Sequence, residues 1–280
     1  MYALLGLLPK NHLSCVLGAL AAIRLPGPLR KLSLRIFARL TALNLDEAEL
    51  PLCQYAAISE LFTRKLRPGA RPVGEGVVSP VDGTLRSCGK IQNGQLPQIK
   101  DKVYSVAELI RDEALAARFA NGFFFNLYLS PQDYHRVHSP CDGAIEFRRY
   151  IPGKLWPVND WSLSHIENLF VINERVVIAV RCEYGLVLVV MVGATNVGKI
   201  SLAFDSLVTN KAFAGVHEDL TMKSFDPAIP VRAGDELGTF HLGSSVVLLF
   251  EAQSAISAAR ISAPAKIAMG QSLVAQVVTR

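Results

Sequence analysis

Three short stretches of the sequence combine tight-turn residues with side chains that could do nucleophilic chemistry. The first presents Asp82 before a glycine, the second contains His135 and His138, and the third contains Ser244 directly after Gly243. A serine hydroxyl is a poor nucleophile near neutral pH unless a histidine accepts its proton and a carboxylate orients that histidine. These residue types therefore predict a serine nucleophile, a histidine base and an orienting aspartate.

Each of these residues also has a purely structural interpretation. Asp82 could bond its own backbone in a turn, and Gly243-Ser244 could form a tight turn. A histidine close to a proline could serve only to support its loop. A Ser/His/Asp hydrolase that keeps Ser244 intact stays an alternative, although the sequence lacks the Gly-x-Ser-x-Gly elbow of α/β-hydrolases.

Short apolar runs separated by turn residues follow Pro72 and would position these groups. We predict strands at Phe123–Leu129, Leu169–Ile172, Arg175–Cys182, Leu186–Val192 and Val246–Phe250. Glu183-Tyr184-Gly185 is expected to join the third and fourth of these strands as a hairpin. The pattern predicts an α+β protein with a mostly antiparallel β body.

A basic and apolar segment precedes this β body. Its apolar residues recur at helical spacing, at Leu29, Leu32, Ile36, Leu40 and Leu43. Lys31, Arg35 and Arg39 form a stripe that flanks the apolar one, and no acidic residue precedes Asp46. This arrangement predicts a helix that lies in the headgroup layer of an anionic membrane. The alternative is an ordinary amphipathic helix packed on the body of the protein.

A second helix is predicted at Ala56–Leu66, because Pro68-Gly69 would end it. The two helices suggest an N-terminal membrane-contact region over residues 1–70. A β-rich catalytic domain would then cover residues 71–280.

Composition and cysteine spacing argue against several classes of protein. No apolar run reaches the roughly 18–20 residues that span a bilayer. The run Leu13–Ile23 lacks the cleavage site of a secretory signal peptide, whereas a mitochondrial transit peptide stays open. The five cysteines have no Cys-x-x-Cys spacing, so neither a disulfide framework nor a metal site is expected. No nucleic-acid reader motif accompanies the net charge of +5.

Seven stretches occur along the chain in an order that resembles a known family. They are LFTRKLRPGARPV, SPVDGTL, YLSPQDYHRVHSPCDG, YIPGKLWPVN, NLFVINERV, MVGATNVG and GTFHLGSSVVLLF. These stretches resemble the phosphatidylserine decarboxylase proenzymes of bacteria. The similarity runs from about Leu61 to the final segment, and the residues before Ala56 match only in character.

This resemblance implies an enzyme that makes its own pyruvoyl cofactor. Ser244 would attack the carbonyl of Gly243, and the chain would separate into a β chain of residues 1–243 and an α chain of residues 244–280 that begins with pyruvoyl. The family usually has a threonine where this chain has Ser245, which leaves a hydroxyl in place.

The resemblance also assigns roles to the other candidate residues. His138 would be the base, and Asp82 would hold its other ring nitrogen. His135 would bind the substrate or protonate it after carbon dioxide leaves. Many relatives have a proline where this chain has Glu167.

The implied reaction converts phosphatidylserine to phosphatidylethanolamine at an anionic phospholipid membrane. The β and α chains would stay together as a heterodimer, and further dimerisation is left open. The implied location is peripheral, on the cytoplasmic side of the bacterial inner membrane. A carrier module is the alternative from another class, because Val231–Gly238 resembles the hairpins of biotinyl and lipoyl domains and Met222-Lys223 resembles their modified lysine.

Overall fold

The computed structural model describes residues 10–97, 103–158, 160–195, 199–210, 221–241, 244–254, 256 and 259–274. Its α-helices are α1 (Lys10–Ala21), α2 (Gly27–Leu40), α3 (Ile58–Phe62), α4 (Val106–Ile110), α5 (Glu113–Ala117), α6 (Asp160–His165) and α7 (Leu169–Ile172). A 3₁₀ turn covers Leu52–Gln54. No helix within these ranges has the length and apolar character that crossing a membrane requires.

The strands of the same ranges form one large sheet and two small ones. They are β1 (Gly83–Lys90), β2 (Gln95–Pro97), β3 (Val103–Ser105), β4 (Phe123–Leu129), β5 (Arg136–His138), β6 (Gly143–Ile151), β7 (Arg175–Cys182), β8 (Gly185–Val192), β9 (Ile200–Leu202), β10 (Thr221–Val231), β11 (Glu236–Phe240), β12 (Ser244–Phe250) and β13 (Ala265–Ile267). The large sheet has the order β10-β6-β7-β8-β12-β4-β1-β13, and the small sheets are β5-β11-β9 and β2-β3. Their ladders are antiparallel, so the predicted α+β class with an antiparallel β body is confirmed.

The centre of the large sheet is covered on both faces. All residues of β12 are buried, as are those of β8 after Gly185. Burial on both faces favours apolar side chains at successive positions, so β8 after Gly185 and β12 after Ser245 are continuous apolar runs instead of alternating ones. This explains why these two strands could be recognised in the sequence.

Several strands begin or end together at one end of the large sheet, which we call the Ser244 end. Ser244 begins β12 and lies opposite Leu129, the last residue of β4. On the other side of β4, β1 begins at Gly83, directly after Asp82. Asp82 and Ser244 are therefore about two strand spacings apart, on the order of 10 Å. Beyond β12, β8 ends and β7 begins at the same end of the sheet.

The predicted amphipathic helix exists, but its apolar stripe does not pack on the protein. Helix α2 faces the body with Leu34 and Ala38, which are buried with Leu61 of α3 in a small cluster. The predicted stripe stays on the outside, with exposed fractions of 56% at Leu29, 54% at Leu32, 48% at Ile36 and 81% at Leu40. Leu43, just beyond the helix, is buried. Packing on the body therefore does not account for the stripe.

The predicted helix Ala56–Leu66 is wrong in length, because α3 covers only Ile58–Phe62. After Thr63 the chain leaves the helix and pairs with the segment that follows α2. Leu66 forms a β-bridge with Ala48, and the backbone N–H of Arg67 donates to the carbonyl of Glu47 at 2.9 Å. Tertiary pairing therefore overrides the helical propensity of these residues.

The predicted strand Leu169–Ile172 is wrong as well, because these residues form one turn of helix, α7. Asn168 before it has a left-handed conformation, with φ of 51°. A run of four apolar residues cannot be assigned to strand or helix by periodicity alone. The other four predicted strands are confirmed, and so is the hairpin between β7 and β8.

Candidate active site

The carboxylate of Asp82 is held by an ion pair with Arg71. Arg71 Nε donates to Oδ1 at 2.9 Å and Nη2 donates to Oδ2 at 2.6 Å, while the backbone N–H of Met269 donates to Oδ1 at 2.7 Å. Arg71 also donates to Glu47 at 2.8 Å, and its hydrogen bonds to the two carboxylates raise the pKa of Arg71. Asp82 thus links the segment before β1 to the C-terminal segment of the chain.

His138 ends β5, where its backbone N–H donates to the carbonyl of Pro80 at 2.9 Å. Its Nδ1 atom lies 2.7 Å from the carbonyl oxygen of Gly234, and its Nε2 atom lies 3.0 Å from the hydroxyl of Tyr134. A carbonyl can only accept a hydrogen bond, so Nδ1 carries the proton. Burial lowers the pKa of His138, so the ring is neutral near pH 7 and Nε2 accepts from the Tyr134 hydroxyl.

The contact expected between Asp82 and a ring nitrogen of His138 is not made, because other groups occupy both nitrogens. The carbonyl of Gly234 holds Nδ1 where the resemblance implies a carboxylate. Asp82 still acts on His138 through space: burial lowers the pKa of His138, and the negative charge of Asp82 is one of the influences that oppose this. Asp82 is therefore an electrostatic neighbour of His138 and does not orient its ring directly.

His135 directly precedes β5, and its ring is completely buried. Its Nδ1 atom lies 2.8 Å from the carbonyl oxygen of Asp133, and its ring centroid is 4.1 Å from that of Phe62. Burial lowers the pKa of His135 to about 3, so the ring is neutral and Nδ1 carries its proton. Its Nε2 atom is buried and has no hydrogen-bond partner among the described residues. This atom can accept a hydrogen bond from a substrate N–H, but in this state it has no proton to donate.

Ser244 is buried at the start of β12, and its Oγ atom has no hydrogen-bond partner in the described part of the chain. The same holds for Oγ of Ser245. Gly243 lies outside the described residues. The strand that leads toward it, β11, is anchored at its end, where the backbone N–H of Phe240 donates to the carbonyl of His135 at 2.9 Å. The segment between β11 and β12 therefore starts beside His135 and ends at Ser244.

The structure thus brings the three predicted stretches together at the Ser244 end of the sheet. His138 is bonded through its backbone to Pro80, two residues before Asp82, while Ser244 and Asp82 flank the end of β4. No hydrogen bond among the described residues joins the side chains of Ser244, His138 and Asp82 directly. They lie at the same end of the sheet, but they do not form a linked triad in this structure.

The stretch that resembles a carrier hairpin supports His138 in this fold. The backbone N–H of Gly234 donates to the carbonyl of Ser139 at 2.9 Å, and that of Ser139 donates to the carbonyl of Asp235 at 2.7 Å. These bonds fix the Gly234 carbonyl against His138. Lys223, which suggested a modified lysine, lies within β10 with its Nζ 2.5 Å from Asp205.

Three groups that contact the candidate residues were missed in the sequence. Arg71 was missed because no spacing rule links it to Asp82. Gly234 acts through its carbonyl, which leaves no side-chain signal. Tyr134 could have been noticed, since it lies four residues before His138 in the same stretch.

A buried carboxyl group, also missed, lies at the Ser244 end beyond β8. Glu174 directly precedes β7, and its Oε2 atom accepts from the Tyr150 hydroxyl at 3.2 Å. Burial raises the pKa of Glu174 to about 7. The neighbouring Arg175 does not offset this effect of burial on the pKa of Glu174. Its guanidinium donates instead to the backbone carbonyls of Leu109, Val171, Asn173 and Glu108. Glu174 therefore carries a proton over much of the range below neutral pH.

Comparisons with known proteins agree with these sequence stretches. The family model described as phosphatidylserine decarboxylase matches residues 58–275. A phosphatidylserine decarboxylase proenzyme of Anaeromyxobacter sp. (strain K) is 42% identical over 272 residues, which cover 96% of this chain and 95% of that protein. Proteins of the same name from Myxococcus xanthus (strain DK1622) and Vibrio vulnificus (strain YJ016) are 41% and 39% identical, over 89% and 87% of this chain and 88% and 87% of their own lengths. The chain therefore belongs to the phosphatidylserine decarboxylase family.

Proposed function

We propose that this chain is the precursor of an enzyme that decarboxylates phosphatidylserine to phosphatidylethanolamine, and that it matures by cutting itself between Gly243 and Ser244. The observation that carries the proposal is the state of Ser244. Its hydroxyl is buried, bonded to no described group, and located at the end of the sheet where the stretches that contain Asp82 and the two histidines come together. Such a hydroxyl is shielded from water and free to attack the adjacent peptide carbonyl.

The proposed cleavage needs one base and no other reactant except water. Ser244 Oγ attacks the carbonyl carbon of Gly243 as its proton passes to His138, and the peptide C–N bond breaks to leave an ester. Loss of the α-proton of Ser244 then expels residues 1–243, which end in a carboxylate. The dehydroalanine that remains tautomerises and is hydrolysed, releasing ammonia and leaving a pyruvoyl group at residue 244.

The protonation state of His138 supports its role as that base. Its Nδ1–H is held by the Gly234 carbonyl, so the lone pair of Nε2 is the acceptor. Burial lowers the pKa of His138 and keeps it neutral before the reaction, while the negative charge of Asp82 favours the imidazolium that forms as the proton arrives. The hydrogen bond from Tyr134 must be released before Nε2 can accept a proton from Ser244.

A pyruvoyl group at residue 244 fits the surroundings of Ser244. The site is buried, and the unpartnered Ser244 Oγ would be removed as the group forms. When present, the group supplies the carbonyl that takes up the substrate amine and accepts the electrons released as carbon dioxide leaves. His135, in a stretch that comes to the same end of the sheet, presents a lone pair on Nε2 that can orient a substrate N–H.

We propose that the exposed stripe of α2 rests on an anionic phospholipid surface, on the cytoplasmic side of a bacterial inner membrane. Leu29, Leu32, Ile36 and Leu40 are exposed although Leu34 and Ala38 of the same helix are buried against the body. Lys31, Arg35 and Arg39 flank them and would reach the phosphates of the headgroups. The cytoplasmic leaflet carries the negative surface potential that such a stripe requires.

The purified protein tests the proposed function directly. Incubation with vesicles that contain phosphatidylserine should release carbon dioxide and produce phosphatidylethanolamine. Borohydride added together with an amine substrate should abolish the activity, because it traps the bound amine on the carbonyl group. A Ser/His/Asp hydrolase would instead keep Ser244 and react with a fluorophosphonate, which would contradict the proposal.

A further inference from the structure

Arg64 is a buried guanidinium group that the described part of the chain leaves mostly without partners. The residue is 4% exposed, and its Nη2 atom donates to the carbonyl of Gln132 at 3.2 Å. Its Nε and Nη1 atoms are also buried and have no hydrogen-bond partner among the described residues. Together these two atoms carry three N–H donors.

Such an arrangement is costly unless something else binds there. Buried charged groups in proteins are normally paired, because an unpaired charge loses its hydration without compensation. Burial lowers the pKa of Arg64, as expected for a cation without a bonded counter-ion. Asp82 and Glu47 influence the pKa of Arg64 through space, and the carboxylates of both are hydrogen-bonded to Arg71. The position is therefore suited to an anion that is not part of the chain.

Arg64 lies between the proposed membrane helix and the candidate active site. On one side, Phe62 packs edge-on against Phe37 of α2, with ring centroids 6.3 Å apart. On the other side, the ring of Phe62 lies against that of His135, and the carbonyl of Thr63 accepts from Arg136 Nε at 3.1 Å. A lipid that reaches from the membrane surface to Ser244 would pass this segment with its headgroup.

We propose that Arg64 binds the phosphodiester of the phospholipid substrate. The inference rests on the proposed function, because that function supplies an anionic phospholipid. Phosphatidylserine offers two anions, a carboxylate and a phosphodiester. The carboxylate loses its charge as carbon dioxide, so a cation bonded to it would stabilise the reactant over the transition state. The phosphodiester keeps its charge throughout and lies between the glycerol and the reacting serine moiety, which suits a binding group on the membrane side of His135.

The test compares Arg64→Gln with Lys65→Gln, which removes the same charge from the adjacent exposed position. Each variant is first shown to have been cleaved between Gly243 and Ser244 and to carry the pyruvoyl group. The apparent KM for phosphatidylserine and the inhibition constant of the product phosphatidylethanolamine are then measured in mixed micelles. Loss of a hydrogen-bonded charge pair predicts that both constants rise about ten- to a hundredfold in Arg64→Gln, with kcat within about twofold of that of the unmodified enzyme. Lys65→Gln should leave both constants unchanged.

The product separates the two anions, because phosphatidylethanolamine keeps the phosphodiester but lacks the carboxylate. A rise in KM without a rise in the product inhibition constant would assign Arg64 to the carboxylate and overturn the proposal. Unchanged constants in Arg64→Gln would overturn it too. If the unmodified enzyme failed to decarboxylate phosphatidylserine at all, the proposed function would fall, and Arg64 would not be the cause.

Thermal unfolding provides a readout that does not depend on activity. Because Arg64 has no bonded counter-ion among the described residues, Arg64→Gln should unfold at the same temperature as the unmodified enzyme or at a higher one. A short-chain phosphatidylethanolamine should raise the midpoint of the unmodified enzyme and of Lys65→Gln, but not that of Arg64→Gln. A clearly lower midpoint for Arg64→Gln without lipid would show that Arg64 supports the fold, and the proposal would be rejected.

Discussion

At the scale of single residues, the proposed chemistry depends on the Nε2 atom of His138. In the structure this atom accepts from the hydroxyl of Tyr134 at 3.0 Å. Burial raises the pKa of Tyr134, so the phenol keeps its proton and remains a donor. Tyr134 therefore competes with Ser244 for the base.

Replacing Tyr134 by phenylalanine should speed the self-cleavage. The variant has no hydroxyl to hold Nε2, and a typical hydrogen bond contributes about 1 kcal/mol, so the rate should rise about fivefold. The measurement is the decay of full-length precursor on denaturing gels during cell-free synthesis. A Tyr134→Phe precursor that persists uncut would show that the hydroxyl carries the proton from Ser244 to His138, which is the opposite role.

Glu174 should make the stability of the folded chain depend on pH. Burial raises its pKa from 4.5 to about 7 in the folded state. Below pH 4.5 the Glu174 carboxyl is protonated in both the folded and the unfolded state, so the free energy of unfolding is highest there. Between pH 4.5 and about 7 the carboxyl ionises in the unfolded state but not in the folded one, so the free energy of unfolding falls as the pH rises. The shift corresponds to a loss of about 3 kcal/mol by pH 8.

Glu174→Gln removes this dependence, because the amide does not ionise. The free energy of unfolding is measured with denaturant at pH 4 and at pH 8. Its decrease between these pH values should be about 3 kcal/mol smaller in Glu174→Gln than in the unmodified chain. The exposed Glu75→Gln serves as the control and should follow the unmodified chain. Parallel pH curves for Glu174→Gln and the control would contradict the buried, raised-pKa carboxyl.

At the scale of elements, the proposed α chain contributes two strands to the large sheet. Strand β12 lies between β4 and β8 and pairs with both, and β13 pairs with β1. The backbone N–H of Met269 adds its bond to Asp82. A cut before Ser244 would leave these ladders and the buried side chains of β12 in place.

The two chains should therefore stay together after cleavage. In non-denaturing size-exclusion chromatography the mature protein should elute as one species that contains both chains, at the position of the uncut Ser244→Ala precursor. The chains should separate only in denaturant, because the apolar strand β12 is buried on both sides. Release of the α chain under native conditions would contradict the pairing of β12.

How far the elements could be predicted depends on their burial and length. Phe123–Leu129 and Arg175–Cys182 were predicted with the observed bounds, because long runs of aromatic and β-branched residues have few alternatives. Strand β10 was missed, since its sequence contains Pro227 and Pro230 and its residues are at most half-buried. The strand prediction for Leu169–Ile172 was wrong because four apolar residues suit a helical turn equally well.

The candidate site could be predicted as residue types but not as contacts. The family stretches identified Asp82, His135, His138 and Ser244, and the fold brings them to one end of the sheet. The partners of these residues come from distant segments or from the backbone, as with the Gly234 carbonyl on His138. No periodicity or spacing in the sequence encodes such contacts. The sequence therefore led to an expected hydrogen bond between Asp82 and His138, whereas the structure pairs the His138 ring with Gly234 and Tyr134.

At the scale of the whole molecule, the exposed stripe of α2 should determine membrane binding. Replacing Leu32 and Ile36 together by glutamine removes two apolar side chains that would enter the lipid, which should weaken binding to phosphatidylserine vesicles about a hundredfold. Self-cleavage should be unchanged, because neither side chain is buried in the fold. Val103→Gln, at an exposed apolar position on β3, is the control in a vesicle sedimentation assay. Equal sedimentation of the double variant and the control would contradict the membrane role of α2.

The intact mass of the purified protein tests the central claim most directly. We expect two chains, residues 1–243 and residues 244–280, with the shorter one lighter by one ammonia than a peptide that begins with serine. The Ser244→Ala variant should give one mass, that of the full uncut chain. A single unbroken chain with full decarboxylase activity, or a short chain that begins with an ordinary serine, would contradict the account.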